Sequence, residues 1–121
     1  MNDTYDLGNI FAQILRGEAP CKKVYEDEFV LAFDSIEKLA PVHVLVIPKG
    51  EYISLDDFGA RAPDPVLAGF WRGVSKTVEA LKIAQPGFNL FTCIGPDHGQ
   101  SVFHFHVHLT SGKTLKDMLS D

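Results

Sequence analysis

The chain has only two cysteines, Cys21 and Cys93, spaced far too widely for a C-x-x-C pair. That excludes a disulfide framework and makes a reducing, cytoplasmic compartment the plain expectation. No stretch approaches the roughly 20 apolar residues of a membrane helix, so no membrane partner is expected. The opening Met1-Asn2-Asp3-Thr4-Tyr5-Asp6 is acidic and lacks the apolar run of a secretory signal. Basic residues are scarce: 11 Lys and Arg against 16 Asp and Glu leave a formal charge of −5. Without a basic patch, nucleic acid is not an expected partner. A small anion is still compatible, because local donors decide its binding. Internal repeats and linker-like segments are absent too. What remains is 121 residues, 45% hydrophobic and 22% charged, which suits one globular domain spanning 1–121.

Hydrophobic periodicity divides that domain. Ile10, Phe11, Ile14 and Leu15 recur at helical spacing and Gly17 stops them, predicting a helix of about two turns. Lys23–Glu26 and Phe29–Phe33, rich in β-branched and aromatic residues, read as a hairpin. Val42–Pro48 is a third strand, with Val42, Val44 and Val46 on one face and His43, Leu45 and Ile47 on the other. A long helix follows, with Asp64 as its cap and Pro65 in its first turn. Its apolar stripe is Leu67, Phe70, Trp71, Val74, Val78 and Leu81, and Pro86-Gly87 end it. Residues 88–94 and 102–110 read as a fourth and fifth strand around a Gly/Pro loop at 95–99. The tail 111–121 is polar apart from Leu115, Met118 and Leu119. Five strands and two helices in this order predict an α+β fold with an antiparallel sheet.

Three of the five histidines fall at alternate positions of the last strand: His104, His106 and His108. Strand geometry points them to one face and Phe103, Phe105, Val107 and Leu109 to the other. The apolar row fixes the register, so the imidazoles form a deliberate row. Three readings fit it. A metal would take two adjacent members at most, because alternate side chains lie about 6.6–6.8 Å apart along a strand. Zinc–nitrogen bonds of about 2.0–2.1 Å then require a third ligand from His43, His98 or a carboxylate. A polar strand face with satisfied hydrogen bonds is the second reading. Nucleophilic catalysis is the third: a neutral imidazole attacks phosphorus or an acyl carbon near pH 7, and its neighbours hold its tautomer and donate to the developing charge. The loop Gly99-Gln100-Ser101 offers backbone N–H groups and a hydroxyl to a phosphate.

The run His104-Phe105-His106-Val107-His108-Leu109-Thr110 resembles the signature of the histidine triad (HIT) family, His-φ-His-φ-His-φ-φ with φ apolar. Only Thr110 departs from it. The resemblance extends through Asn9-Ile10-Phe11, Gly17-Glu18-Ala19-Pro20, Val24–Glu28, Ala32-Phe33, Ala40–Lys49 and Gly99–Val102, and so covers about residues 9–110. It is closest to the Hint-type branch of purine nucleoside phosphoramidases. The resemblance implies a HIT fold whose five-stranded sheet joins a second copy's into ten strands. It also implies an AMP-like purine nucleotide as ligand, with hydrolysis at the α-phosphate of phosphoramidates or acyl adenylates. His106 is then the nucleophile, passing through a nucleotidyl-histidine. His104 and His108 flank it, His108 contacts phosphate, and His43 supports the row from its own strand. Ser101, with the backbone of Gly99 and Gln100, binds phosphate and assists the leaving group. Phe11, Ile14, Phe33 and Ile36 line the base pocket. No cofactor and no metal are expected, since the paired cysteines that hold zinc in many relatives are absent.

Three positions depart from the pattern. The family's ribose-binding acid falls at Ser35, and Asp34 stands one residue early. Cys93 replaces an asparagine, and read on its own it is an ordinary small residue of a strand. His98 stands in the loop where a small residue is usual, and reads as a surface histidine. Ser35 and Cys93 are the features that favour the alternative, a slow or inactive nucleotide-sensing module on the same fold.

Overall fold

A computed structural model describes residues 4–120. Met1, Asn2 and Asp3 of the acidic opening, and Asp121 at the end of the tail, lie outside it. The chain runs α1 (Ile10–Leu15), β1 (Lys23–Glu26), β2 (Val30–Asp34), β3 (Val42–Pro48), α2 (Leu55–Arg61) and α3 (Asp64–Leu81). It continues as β4 (Asn89–Phe91), β5 (Val107–Ser111) and α4 (Leu115–Leu119). All five strands form one antiparallel sheet in the order β1-β2-β3-β5-β4. The expected α+β architecture is present, but with four α-helices where two were predicted.

The two unforeseen helices are short and held by their caps. Ser54 accepts from the Asp57 N–H at the start of α2, and Thr114 accepts from the Asp117 N–H at the start of α4. Only Phe58 of α2 and no residue of α4 is buried, so neither carries an apolar stripe to read. The long helix begins where expected, but Pro63 is its cap and Asp64 its first residue. It ends at Leu81, with Lys82 in the left-handed conformation (φ 58°), before the Pro86-Gly87 stop is reached.

Strand alternation separates two apolar layers. Val30, Ala32, Val44, Val46, Val107 and Leu109 face α3 and pack with Phe70, Val74 and Val78. Leu31, Phe33, Leu45 and Ile47 line the other face, covered by Phe11 of α1. α1 is itself capped by Asn9, whose side chain accepts from the Ala12 N–H.

The last two strands are shorter than predicted. β5 pairs with β3 only from Val46↔Val107 onward, although β3 itself runs on to Pro48; beyond that pair the chain leaves the ladder and the Phe105 N–H turns to the Tyr52 carbonyl. β4 shrinks to three residues, which pair with Thr110, Leu109 and His108 of β5. Alternation nonetheless persists through 104–109. Phe105 is fully buried against Phe58 and Phe70, while the histidines keep to the opposite face. Phe103, expected in the apolar row, is only half-buried and stands apart from both layers.

Candidate active site

His104, His106 and His108 come together with His43 on the face that α1 covers. Each ring is held by a partner that dictates which nitrogen carries the proton. A backbone carbonyl only accepts, so the His106 Nδ1 bonded to the His104 carbonyl at 2.8 Å is Nδ1–H. The lone pair of His106 is therefore on Nε2. His104 is the reverse: its Nε2–H donates to the Pro48 carbonyl at 2.8 Å, leaving Nδ1 to accept from the Tyr5 hydroxyl at 2.5 Å.

His108 is set by a relay. The Leu39 N–H donates to His43 Nδ1 at 3.0 Å, which places the His43 proton on Nε2. That proton goes to His108 Nδ1 at 2.9 Å, so the His108 proton stands on Nε2. The network thus assigns a lone pair to the His106 Nε2 and a donor to the His108 Nε2. These two rings lie 5.2 Å apart, centroid to centroid. One nucleophile and one neighbouring hydrogen-bond donor are what attack on a phosphate needs.

Burial holds all four rings neutral. It pushes His104 down to about 4 and His108 down to about 3, the latter helped by the charges His106 and His43 would carry. His106 is lowered by burial against the raising pull of the His104 carbonyl. His43 is lowered by burial and by the Lys38 ammonium.

Aromatic rings wall the row. Phe11 meets His106 edge-on at 5.0 Å and Phe33 at 5.4 Å. Phe91 stacks flat on His108, 4.5 Å away with the planes 5° apart. Sequence reading missed Phe91. Its signal was there, since cross-strand pairing sets it opposite His108, but that register is invisible before β4 and β5 are paired.

The other predicted positions divide. Phe11 and Phe33 stand beside the histidines. Ile14 packs in the same apolar layer but lines a separate cleft of about 370 Å³, with Leu31, Cys21 and the ion-paired Lys23, Glu26 and Lys49. Ile36 does not line a pocket within this chain: it is 99% exposed on the loop that leaves β2. Asp34 pairs with Val44 and so faces α3, where it meets Lys38 at 3.5 Å. Ser35 donates its N–H to the His43 carbonyl, and its hydroxyl donates to the Glu37 carbonyl at 3.0 Å.

The loop before the histidines also differs from expectation. The Gly99 and Gln100 N–H groups donate to the Pro96 and Gly95 carbonyls, so neither points free toward a phosphate. The buried Gln100 side chain accepts from Gly95 N–H and donates to the Ile53 and Val102 carbonyls. Gln100 is a clamp. It leaves the exposed Ser101 hydroxyl, which makes no hydrogen bond among the described residues, as the free donor. Cys93 is half-buried and would touch a Cβ placed on Gly99 at 3.8 Å. His98 is exposed at the end of the single turn Pro96–His98. No group of three His, Cys, Asp or Glu among the described residues is arranged to hold a metal, so the two-histidine metal reading lacks its third ligand.

Two buried histidines and a third partly buried one, each with its tautomer fixed by a partner, on one face of an antiparallel five-stranded sheet define a histidine triad protein. The HIT domain model matches residues 16–115, and the chain belongs to the HIT family. It is 47% identical to an uncharacterised 13.2 kDa HIT-like protein of Azospirillum brasilense, over 99% of this chain and 98% of that one. It is 35% identical to the purine nucleoside phosphoramidase of Escherichia coli, over 92% of each. A HIT family hydrolase from Clostridium thermocellum superposes with a TM-score of 0.80 at 36% identity, covering 89% of this chain and 93% of that one. No helix among the described residues is long and apolar enough to cross a membrane.

Proposed function

We propose that the chain hydrolyses purine nucleotides at the α-phosphorus, with phosphoramidates or acyl adenylates as substrates, through a nucleotidyl intermediate on His106. The observation that carries this reading is the His106 tautomer, with Nδ1–H spent on the His104 carbonyl and the Nε2 lone pair left over. Burial keeps that ring neutral, so the lone pair is available at pH 7. The phosphoramidase among its relatives supports the substrate class.

In the first step Nε2 bonds to phosphorus while the bond to the leaving nitrogen or oxygen breaks, and the departing group takes up a proton. The Ser101 hydroxyl assists that departure. In the second step water adds to phosphorus, the Nε2–phosphorus bond breaks and the nucleoside monophosphate leaves. His108 donates its Nε2–H to a phosphate oxygen in both steps, with His43 behind it. Phe11 and Phe33 form the base wall. The proton taken up by the leaving group comes from solvent and the attacking water returns one to it, so bonds and protons balance without a cofactor.

We place the chain in a reducing compartment, where its two free thiols stay reduced. It acts as a homodimer joined along the open edge of β4, where Phe88 and Leu90 are exposed. Light scattering at micromolar concentration checks this: a mass near twice 13.4 kDa is expected, and a single chain's mass overturns it. One observation favours a second reading, a slow nucleotide-sensing module: Asp34 faces away from the histidines and Ser35 is spent on Glu37.

Intact mass spectrometry during turnover of an adenosine phosphoramidate tests the two. The wild type is expected to carry a transient adenylyl adduct. His106→Ala should carry none and lose on the order of 10³-fold or more in turnover. Nucleotide binding by the wild type with neither adduct nor release would favour the sensing module.

A further inference from the structure

We propose that Tyr5 is a positioning residue for the nucleophile, acting through His104. The inference rests on the role assigned to His106, and it starts from the state of the His104 ring. That ring is fully buried and both its nitrogens are occupied, Nε2–H by the Pro48 carbonyl and Nδ1 by the Tyr5 hydroxyl. It therefore has no atom left for a substrate. Its contribution is its own backbone, because the His104 carbonyl holds Nδ1–H of His106 and so aims Nε2.

The segment bearing that carbonyl is held by scattered contacts and not by a sheet ladder: Phe105 packs on Phe58 and Phe70, and the Thr92 hydroxyl donates to the His106 carbonyl. Residues 102–106 lie beyond the β3–β5 ladder, and the Phe105 N–H reaches only to the Tyr52 carbonyl. The two bonds on the His104 ring are the ones that orient that ring. Pro48 supplies one from the end of β3. Tyr5 supplies the other from ahead of α1, outside the span matched by the family model.

The Tyr5 segment is tied down in turn. Asp6 accepts from Gly8 and Asn9, and the Arg16 guanidinium donates to the Leu7 carbonyl. The Tyr5 ring meets the His104 ring edge-on at 5.6 Å. Burial raises the Tyr5 phenol, which keeps its hydroxyl protonated and donating. With the hydroxyl present, only the Nε2–H tautomer satisfies both partners. Without it, the Pro48 carbonyl still holds Nε2–H, but a buried acceptor is left unpaired and the ring loses the partner that fixes its position.

The test uses the full chain, wild type and Tyr5→Phe, labelled with ¹⁵N. The variant keeps the ring and its packing and removes only the donor. Histidine ring ¹H–¹⁵N spectra at pH 7 should show His104 as Nε2–H in the wild type. In Tyr5→Phe its Nδ1 signal should move downfield, as a nitrogen that has lost a donor does, and the His106 signals should shift with it. On an adenosine phosphoramidate, kcat should fall roughly tenfold while KM stays within about twofold. An Nδ1–H His104 in the wild type overturns the proposal. So does a variant whose His104 and His106 signals and kcat match the wild type. A wild type that binds nucleotide without turnover removes the proposed reaction instead, and the ring signals alone then decide the role of Tyr5.

Discussion

Asp34 and Ser35 are adjacent in sequence, and in a strand adjacency is a change of face. Asp34 follows Val30 and Ala32 toward α3, where its carboxylate meets Lys38. Ser35 extends the register of Leu31 and Phe33, with its N–H on the His43 carbonyl, which puts position 35 on the histidine face. A carboxylate on the correct face is therefore one substitution away. Ser35→Asp should tighten AMP by about 1.5–3 kcal/mol, roughly 10- to 150-fold, the range for hydrogen bonds to a charged acceptor. Asp34→Asn should leave AMP affinity unchanged. Isothermal titration of both variants checks the pair. Tightening by neither would show that the ribose lies elsewhere.

α3 approaches the sheet through its small residues, and this is what fixes the spacing between the two layers. A Cβ on Gly73 would stand 2.5 Å from the Val30 side chain, and one on Gly69 would stand 2.3 Å from the Phe29 ring. Val30 is fully buried and has no room to yield. Gly73→Ala should therefore destabilise the fold by about 1–3 kcal/mol despite its better helix propensity, measured by urea unfolding. An unchanged midpoint would mean that helix and sheet slide apart freely. The stripe of α3 was legible because every turn contributes to it, although Trp71, counted in it, is exposed. So was β3, which alternates over seven residues, and so was the histidine row, whose apolar partners Phe105, Val107 and Leu109 fix its face. Other features were not legible, each for a physical reason. α2 and α4 depend on one capping side chain each, and a cap without a stripe reads as loop. β5 starts late because the Phe105 N–H bonds to the Tyr52 carbonyl instead of β3, a partner more than 50 positions away. The Gln100 clamp closes on Ile53, 47 positions away, and no local pattern announces it.

The histidine cluster also ties the stability of the whole molecule to pH, and the sign follows from burial. His43, His104, His106 and His108 all have folded-state pKa values below the usual 6.5. Well above pH 6.5 neither the native nor the unfolded chain protonates them, so stability is flat there. Below it the unfolded chain binds protons that the native chain refuses, and stability falls with pH. For His104 the loss continues down to about pH 4, at a slope of about 1.4 kcal/mol per pH unit for its one proton, and the other three add to it. Glu26, held near 2 by Lys23 and Lys49, loses its contribution only below the ordinary carboxylate range, so the window from pH 6.5 to 5 belongs to the imidazoles. Urea unfolding across pH 8 to 5 should show a plateau followed by a steep decline beginning near 6.5. A midpoint that stays constant to pH 5 would mean that the native chain takes up the protons too. The rings would then titrate as they do in the unfolded chain, and the His106 lone pair would be lost as the pH falls through 6.5 instead of persisting below it.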